Sequence, residues 1–145
     1  MANDLKAENG VVYFDSGASL QSGRATQCRV ANEAKESLLP LVLDAGELDE
    51  DGNLTLAGRT NNYGELRALS LALEVARGLG AKEIRGDSEL VIDYWSKGIC
   101  KSKDADTREL SKEVTAARSA FEAGGGTVKW ISGDLNPADL GYHKA

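Results

Sequence analysis

Apolar residues recur along this chain with two periods, and the order in which the periods alternate lays out an α/β plan. The longest stripe runs from Leu66 through Leu69, Leu73 and Ala76, with Ala72 and Leu79 beside it, the 3.6-residue repeat of a core-facing helix. Asn62 is placed to cap that helix and Glu65 to complete a capping box, while Gly78 or Gly80 ends it after Arg77. A second helix is predicted after Ser88, with Leu90, Val91, Tyr94 and Trp95 inward and Gly98 as its stop. A third, from Thr107, carries Leu110, Val114, Ala117 and Phe121 and stops at Gly124-Gly125-Gly126.

Shorter runs read as strands. Val11-Val12-Tyr13-Phe14 is continuously apolar, as a buried strand is, and delivers Asp15 to its end. Small, flexible residues, Ser16 to Ser19, then leave room for a phosphate or another backbone to approach. Ala25 to Val30, Asn53 to Ala57, Lys82 to Gly86 and Thr127 to Ile131 complete the set. Leu38 to Leu43 is apolar too, but Pro40 confines it to an edge strand or a bulge, and Asp51-Gly52-Asn53 marks a turn after it. Asn136-Pro137 opens a last helix with Asp139 at its third position. Strands first, then helix–strand–helix–helix–strand–helix, is an α/β plan on a mixed sheet, with antiparallel strands early.

Composition bounds the class. With 145 residues, 41% hydrophobic and 28% charged, the chain fits one globular domain over residues 1–145. No apolar run reaches the ~20 residues of a membrane span, and no secretory signal pattern opens the chain. Cys28 and Cys100 are too few for a disulfide scaffold and lack metal-site spacing, which makes a reducing, cytoplasmic setting the expectation. Nothing calls for more than a monomer. The net charge of −6 argues against indiscriminate nucleic-acid binding. Five acids between Asp44 and Asn53 account for most of it, leaving −1 for the remainder.

Four acids stand at element ends: Asp15, Glu65, Asp87 and Asp139. Each alone reads as a cap or a turn residue. Should they converge, like charges ~4 Å apart would repel by roughly 1–4 kcal/mol per pair, so the cluster would need protons or cations. An all-oxygen, sulfur-free donor set suits Mg²⁺ or Mn²⁺, and two such ions can drive phosphodiester hydrolysis.

These residues resemble type 1 ribonuclease H over nearly the whole chain. The likeness rests on an apolar strand ending in Asp15, on Thr60-Asn61-Asn62-x-x-Glu65-Leu66 entering a long helix, on Asp87-Ser88, and on Asn136-x-x-Asp139 after a Trp-containing strand. It implies the ribonuclease H-like fold, a mixed five-stranded sheet with antiparallel first strands, then parallel ones, flanked by helices. It implies a metal-dependent endonuclease that hydrolyses the RNA strand of RNA–DNA hybrids with two Mg²⁺ ions, Mn²⁺ substituting, and leaves 5′-phosphate ends. By the same resemblance Asp15 bridges both metals, Glu65 and Asp87 hold the ion on the leaving-group side, and Asp139 completes the one that activates water. Asn61 and, as a second amide, Gln21 would meet the RNA 2′-hydroxyl, an amide being both donor and acceptor. Thr60 would join a phosphate pocket for the DNA strand.

The chain also departs from that pattern. The family's Asp-Gly-Ser is Asp15-Ser16-Gly17 here, and Leu20 to Thr60 is long enough for an extra hairpin or loop. Lys97, Lys101 and Lys103 are the only trace of a basic protrusion. The loop that often carries a histidine reads Ser132-Gly133-Asp134-Leu135; the one histidine, His143, is either a surface residue or a substitute four positions after Asp139. Two other readings stay open: a non-catalytic hybrid- or RNA-binding module, and a DNA-directed nuclease of the same fold.

Overall fold

The computed structural model describes residues 4–18 and 25–140. Five strands, β1 (Val11–Ala18), β2 (Thr26–Ala31), β3 (Leu54–Leu56), β4 (Glu83–Gly86) and β5 (Thr127–Trp130), form one sheet in the order β3-β2-β1-β4-β5. The first three pair antiparallel, and β4 and β5 run parallel to β1, the mixed sheet expected from the order of elements. β1 is central because it can be buried on both faces. Val12 and Phe14 face the main core, while Val11 and Tyr13 pack with Ala31 and Ala138 on the other side, the period-2 split of a strand.

The strand does not end at Asp15. Its parallel ladder to β4 stops at Phe14 opposite Gly86, but its antiparallel ladder to β2 continues to Ala18 opposite Thr26. Ser16 is therefore a buried strand residue, not part of a flexible connection. Of the two approaches its small neighbours allowed, the structure shows a backbone.

That backbone belongs to the helix α1 (Asn61–Leu79), which crosses the sheet and buries Leu66, Leu69, Leu73 and Ala76 as the stripe predicted. Gly64 makes the close approach possible, since a Cβ there would lie 2.2 Å from Ser16 Oγ and 2.4 Å from Thr26 Cγ2. Gly86 plays the same part within the sheet, with the Phe14 ring lying where its Cβ would be. The cap is Thr60, whose hydroxyl accepts from the Tyr63 N–H at 3.1 Å, rather than Asn62. This moves Glu65 from the capping-box position to the fifth residue of the helix, and it is buried. At the other end Gly80 adopts φ 71°, the left-handed cap that glycine provides at low cost.

Residues 38–43 are not a strand. Leu39–Leu41 form a short 3₁₀ helix, with Pro40 early in it where its missing N–H is harmless, and Leu38 and Leu39 are fully buried. The long connection to β3 is a loop rather than an added hairpin, tied by isolated bridges between Ala31 and Ser37 and between Leu48 and Leu54. The loop is held by side-chain bonds to its backbone. Asp49 accepts from the N–H groups of Asp51 and Asn53, and Arg29 donates to Asp51 O, Asn53 Oδ1 and Lys35 O.

The second helix, α2 (Glu89–Asp93), is capped by Ser88 as expected but is short, giving way to a 3₁₀ turn at Trp95–Lys97. The third, α3 (Ala105–Ala123), buries Leu110 and Val114 but leaves Ala117 exposed and buries Arg118 instead. The Arg118 guanidinium donates to Ile92 O and Ser96 Oγ, which satisfies the carbonyl end of α2. The expected final helix is, within the described residues, one turn: Asn136 Oδ1 accepts from Ala138 N–H, and Asp139 N–H donates to Asn136 O. No described helix is long and apolar enough to cross a membrane.

Candidate active site

Three of the four predicted acids meet where the parallel strands end. Phe14, Gly86 and Trp130 lie in one row across β1, β4 and β5, so Asp15 and Asp87 leave the row side by side. Glu65 reaches the same place from α1, across the gap that Gly64 closes. Carboxylate oxygens of Asp15, Glu65 and Asp87 lie within 4.8 Å of one another. They line a cavity of about 350 Å³ with Ser16, Asn61, Asn62, Ser88, Trp130 and Gly133. Open α/β sheets commonly bind ligands at the carboxyl ends of their strands. A larger cavity, about 440 Å³, lies between α1 and α3 against Leu73, Ala76, Ala117 and Phe121, and it holds none of the four acids.

The acids are buried without enough donors. Asp15 is 1% exposed and Glu65 4%. Glu65 Oε1 accepts from Ser16 N–H at 3.0 Å, and Asp15 Oδ2 accepts from Leu140 N–H at 3.0 Å. Asp15 Oδ1 and Glu65 Oε2 are buried with no donor among the described residues. Burial, then the neighbouring charge of Asp87, pushes Asp15 up to about 7, against the N–H donors of Leu140 and Ser16 and a bond from Glu65 that favour its charged form. Burial and the Asp15 charge raise Glu65 well above the ordinary carboxyl range. A proton held between these carboxyls, or a cation, is what the two donorless oxygens lack. Three carboxylates with no sulfur or imidazole make a hard donor set that fits Mg²⁺ or Mn²⁺.

Asp139 is not one of the three acids that meet within 4.8 Å. It is half-buried, in the turn whose next residue donates to Asp15, and that turn is held by Asn136 Nδ2 donating to Phe14 O at 3.0 Å. Asn61, exposed in the first turn of α1, lines the cavity, and its Oδ1 accepts from Ser16 Oγ at 3.1 Å. Thr60 is exposed at the cap just outside. Gln21 and His143 lie outside the described residues. Two participants carried no clear sequence signal. Ser16 ties the site together by donating to both Glu65 and Asn61, and Trp130 stands at the cavity wall, 51% exposed.

The fold is the ribonuclease H-like fold. The solved structure of LC11-RNase H1 in complex with RNA/DNA hybrid aligns over 93% of this chain and 99% of its own, with a TM-score of 0.50 at 18% identity. Ribonuclease H1 from the halophilic archaeon Halobacterium salinarum NRC-1 aligns over 93% and 98% with a TM-score of 0.49 at 23% identity. The N-terminal RNase H domain of rv2228c from Mycobacterium tuberculosis, solved as a fusion with maltose binding protein, aligns over 90% and 93% with a TM-score of 0.47 at 19% identity. No family model and no curated protein sequence matches the chain.

Proposed function

We propose that this chain is one ribonuclease H-like domain, a type 1 ribonuclease H that hydrolyses the RNA strand of RNA–DNA hybrids with divalent metal. The observation that carries the reading is the convergence of Asp15, Glu65 and Asp87, with two buried oxygens that have no donor among the described residues, at the carboxyl ends of the parallel strands. Asp15, Glu65 and Asp87 would hold Mg²⁺ or Mn²⁺, with Asp139 the fourth ligand from the adjoining turn. Two such ions, when bound, supply an activated water and stabilisation of the leaving oxygen.

The chain's own residues orient the substrate. Asn61 is exposed at the rim, and its amide can meet a ribose 2′-hydroxyl as donor or acceptor. The Thr60 hydroxyl accepts from Tyr63 N–H, which leaves its own O–H to donate to a phosphate at the positive end of α1. Ser16 holds Glu65 and Asn61 in fixed relation, so metal and sugar contacts move as one unit.

The test is cleavage of labelled RNA–DNA hybrid, duplex RNA and duplex DNA, each with Mg²⁺, Mn²⁺ or EDTA. Cleavage confined to the RNA of the hybrid, dependent on metal and lost in Asp15→Asn, is the expected result. Hybrid binding without cutting would favour a non-catalytic module, and cutting of DNA would favour a DNA-directed nuclease.

A further inference from the structure

Trp130 ends β5 in the row that also holds Phe14 and Gly86, and it lines the cavity beside Asp15 and Asp87. A core tryptophan would be covered. This one is 51% exposed, among the few large hydrophobic side chains left so open. Its orientation is nevertheless fixed. The indole Nε1–H donates to the carbonyl oxygen of Asp87 at 3.2 Å, and the backbone behind it is pinned by Ile131 N–H donating to Gly86 O at 2.8 Å. A large aromatic ring, held at one edge and half-exposed on the wall of an anionic cleft, is built to meet something flat and apolar that also carries charge. A nucleotide has both features, with a sugar–base face for the ring and a phosphate for whatever ions the acids hold.

We propose that Trp130 is a substrate-contacting residue of this site: its exposed indole packs against the nucleotide next to the cleaved phosphate, and its N–H to Asp87 holds the ring in register with the carboxylates. The inference rests on the nuclease reading above and adds a contact that the four acids, Asn61 and Thr60 do not supply. The ring face acts on affinity, and the N–H, which donates to a backbone carbonyl, serves to hold the ring in place.

The test uses the full chain in the Asp15→Asn background, where binding is followed without cleavage, and fluorescein-labelled RNA–DNA hybrid as the probe. Trp130→Ala is expected to weaken binding by about tenfold, within the range of base–aromatic stacking. Trp130→Phe, which keeps a flat ring, is expected to stay within about threefold of the parent. In chains with Asp15 intact, Trp130→Ala raises KM far more than it lowers kcat. Hybrid quenches the indole emission of Trp95→Phe, which reports Trp130, but not that of Trp130→Phe. Should Trp130→Ala melt early, Trp130→Leu takes its place, and it is expected to bind as weakly as Ala for want of a ring face. Unaltered affinity in Ala or Leu, or unmoved Trp130 emission, overturns the inference while wild-type cleavage leaves the nuclease reading intact. A parent chain that neither binds nor cuts hybrid removes both.

Discussion

Replacing Asp15 with Asn should make the metal-free protein more stable at pH 8 and less responsive to metal. Asp15 is buried beside Glu65 and Asp87, and its proton affinity is raised from 3.8 to about 7. Keeping it ionised at pH 8 without a cation therefore costs on the order of 4 kcal/mol, since each tenfold displacement of a proton equilibrium is worth about 1.4 kcal/mol. Asn keeps an oxygen to accept the Leu140 N–H and adds an amide donor near the Glu65 carboxylate, so little is lost in exchange. A gain of about 2–4 kcal/mol is expected, or roughly 6–12 °C in Tm for a chain of this length. Metal narrows the gap. A hundredfold excess of Mg²⁺ over its Kd stabilises the wild type by about 2.7 kcal/mol, and the variant by much less. Thermal melts in EDTA and in millimolar Mg²⁺ at pH 8 read both effects. An Asp15→Asn chain less stable than wild type in EDTA, or with the same Mg²⁺ shift, would refute the shared anionic site.

Three further outcomes follow from the packing and the charges. In EDTA the wild type should lose stability as pH rises from about 4 through 7, because a group with a raised folded pKa stabilises fully below its unfolded value and ceases to as pH passes the folded one; urea midpoints across that range check it, and a rise would contradict it. Gly64→Ala should destabilise by about 1–3 kcal/mol despite alanine's better helix propensity, as Ser16 and Thr26 must be pushed aside, with loss of activity through Ser16; an unchanged urea midpoint would show the helix can lift off at no cost. Arg118→Ala should cost about 2–4 kcal/mol by leaving the Ile92 carbonyl and Ser96 without their donor and opening a cavity, whereas an effect under about 1 kcal/mol would place the residue on the surface.

Much of this was legible in the chain because it depends on local periodicity. The stripe of α1, the capping by Ser88 and a mixed sheet with antiparallel strands early follow from spacing and punctuation alone. Where the reading slipped, the deciding contact was distant or the local signals were tied. Thr60, Asn61 and Asn62 are all acceptable caps, and only the docking of Gly64 against Ser16 selects the first. Asp15 looked terminal because the apolar run ends there, yet β2 carries the ladder on to Ala18 while β4 stops at Phe14. Pro40 correctly forbade a central strand, but nothing nearby distinguished a bulge from a 3₁₀ turn that buries Leu38 and Leu39. Arg118, rather than Ala117, turns inward because Ile92 and Ser96 offer it acceptors, and they sit 26 and 22 residues away. Of the site, the three acids that meet were legible as candidates; the tie that Ser16 makes was not, since it read as part of a flexible stretch after the strand, and Trp130 read as a core or groove-edge residue.

The convergence of Asp15, Glu65 and Asp87 on cations can be observed directly. Crystals of the wild-type chain grown or soaked with millimolar Mn²⁺ should show anomalous density bounded by these three side chains, and Asp15→Asn crystals under the same conditions should show it weakened or gone. Mn²⁺ density elsewhere on the molecule with none among the three acids would contradict a metal site at the ends of the parallel strands.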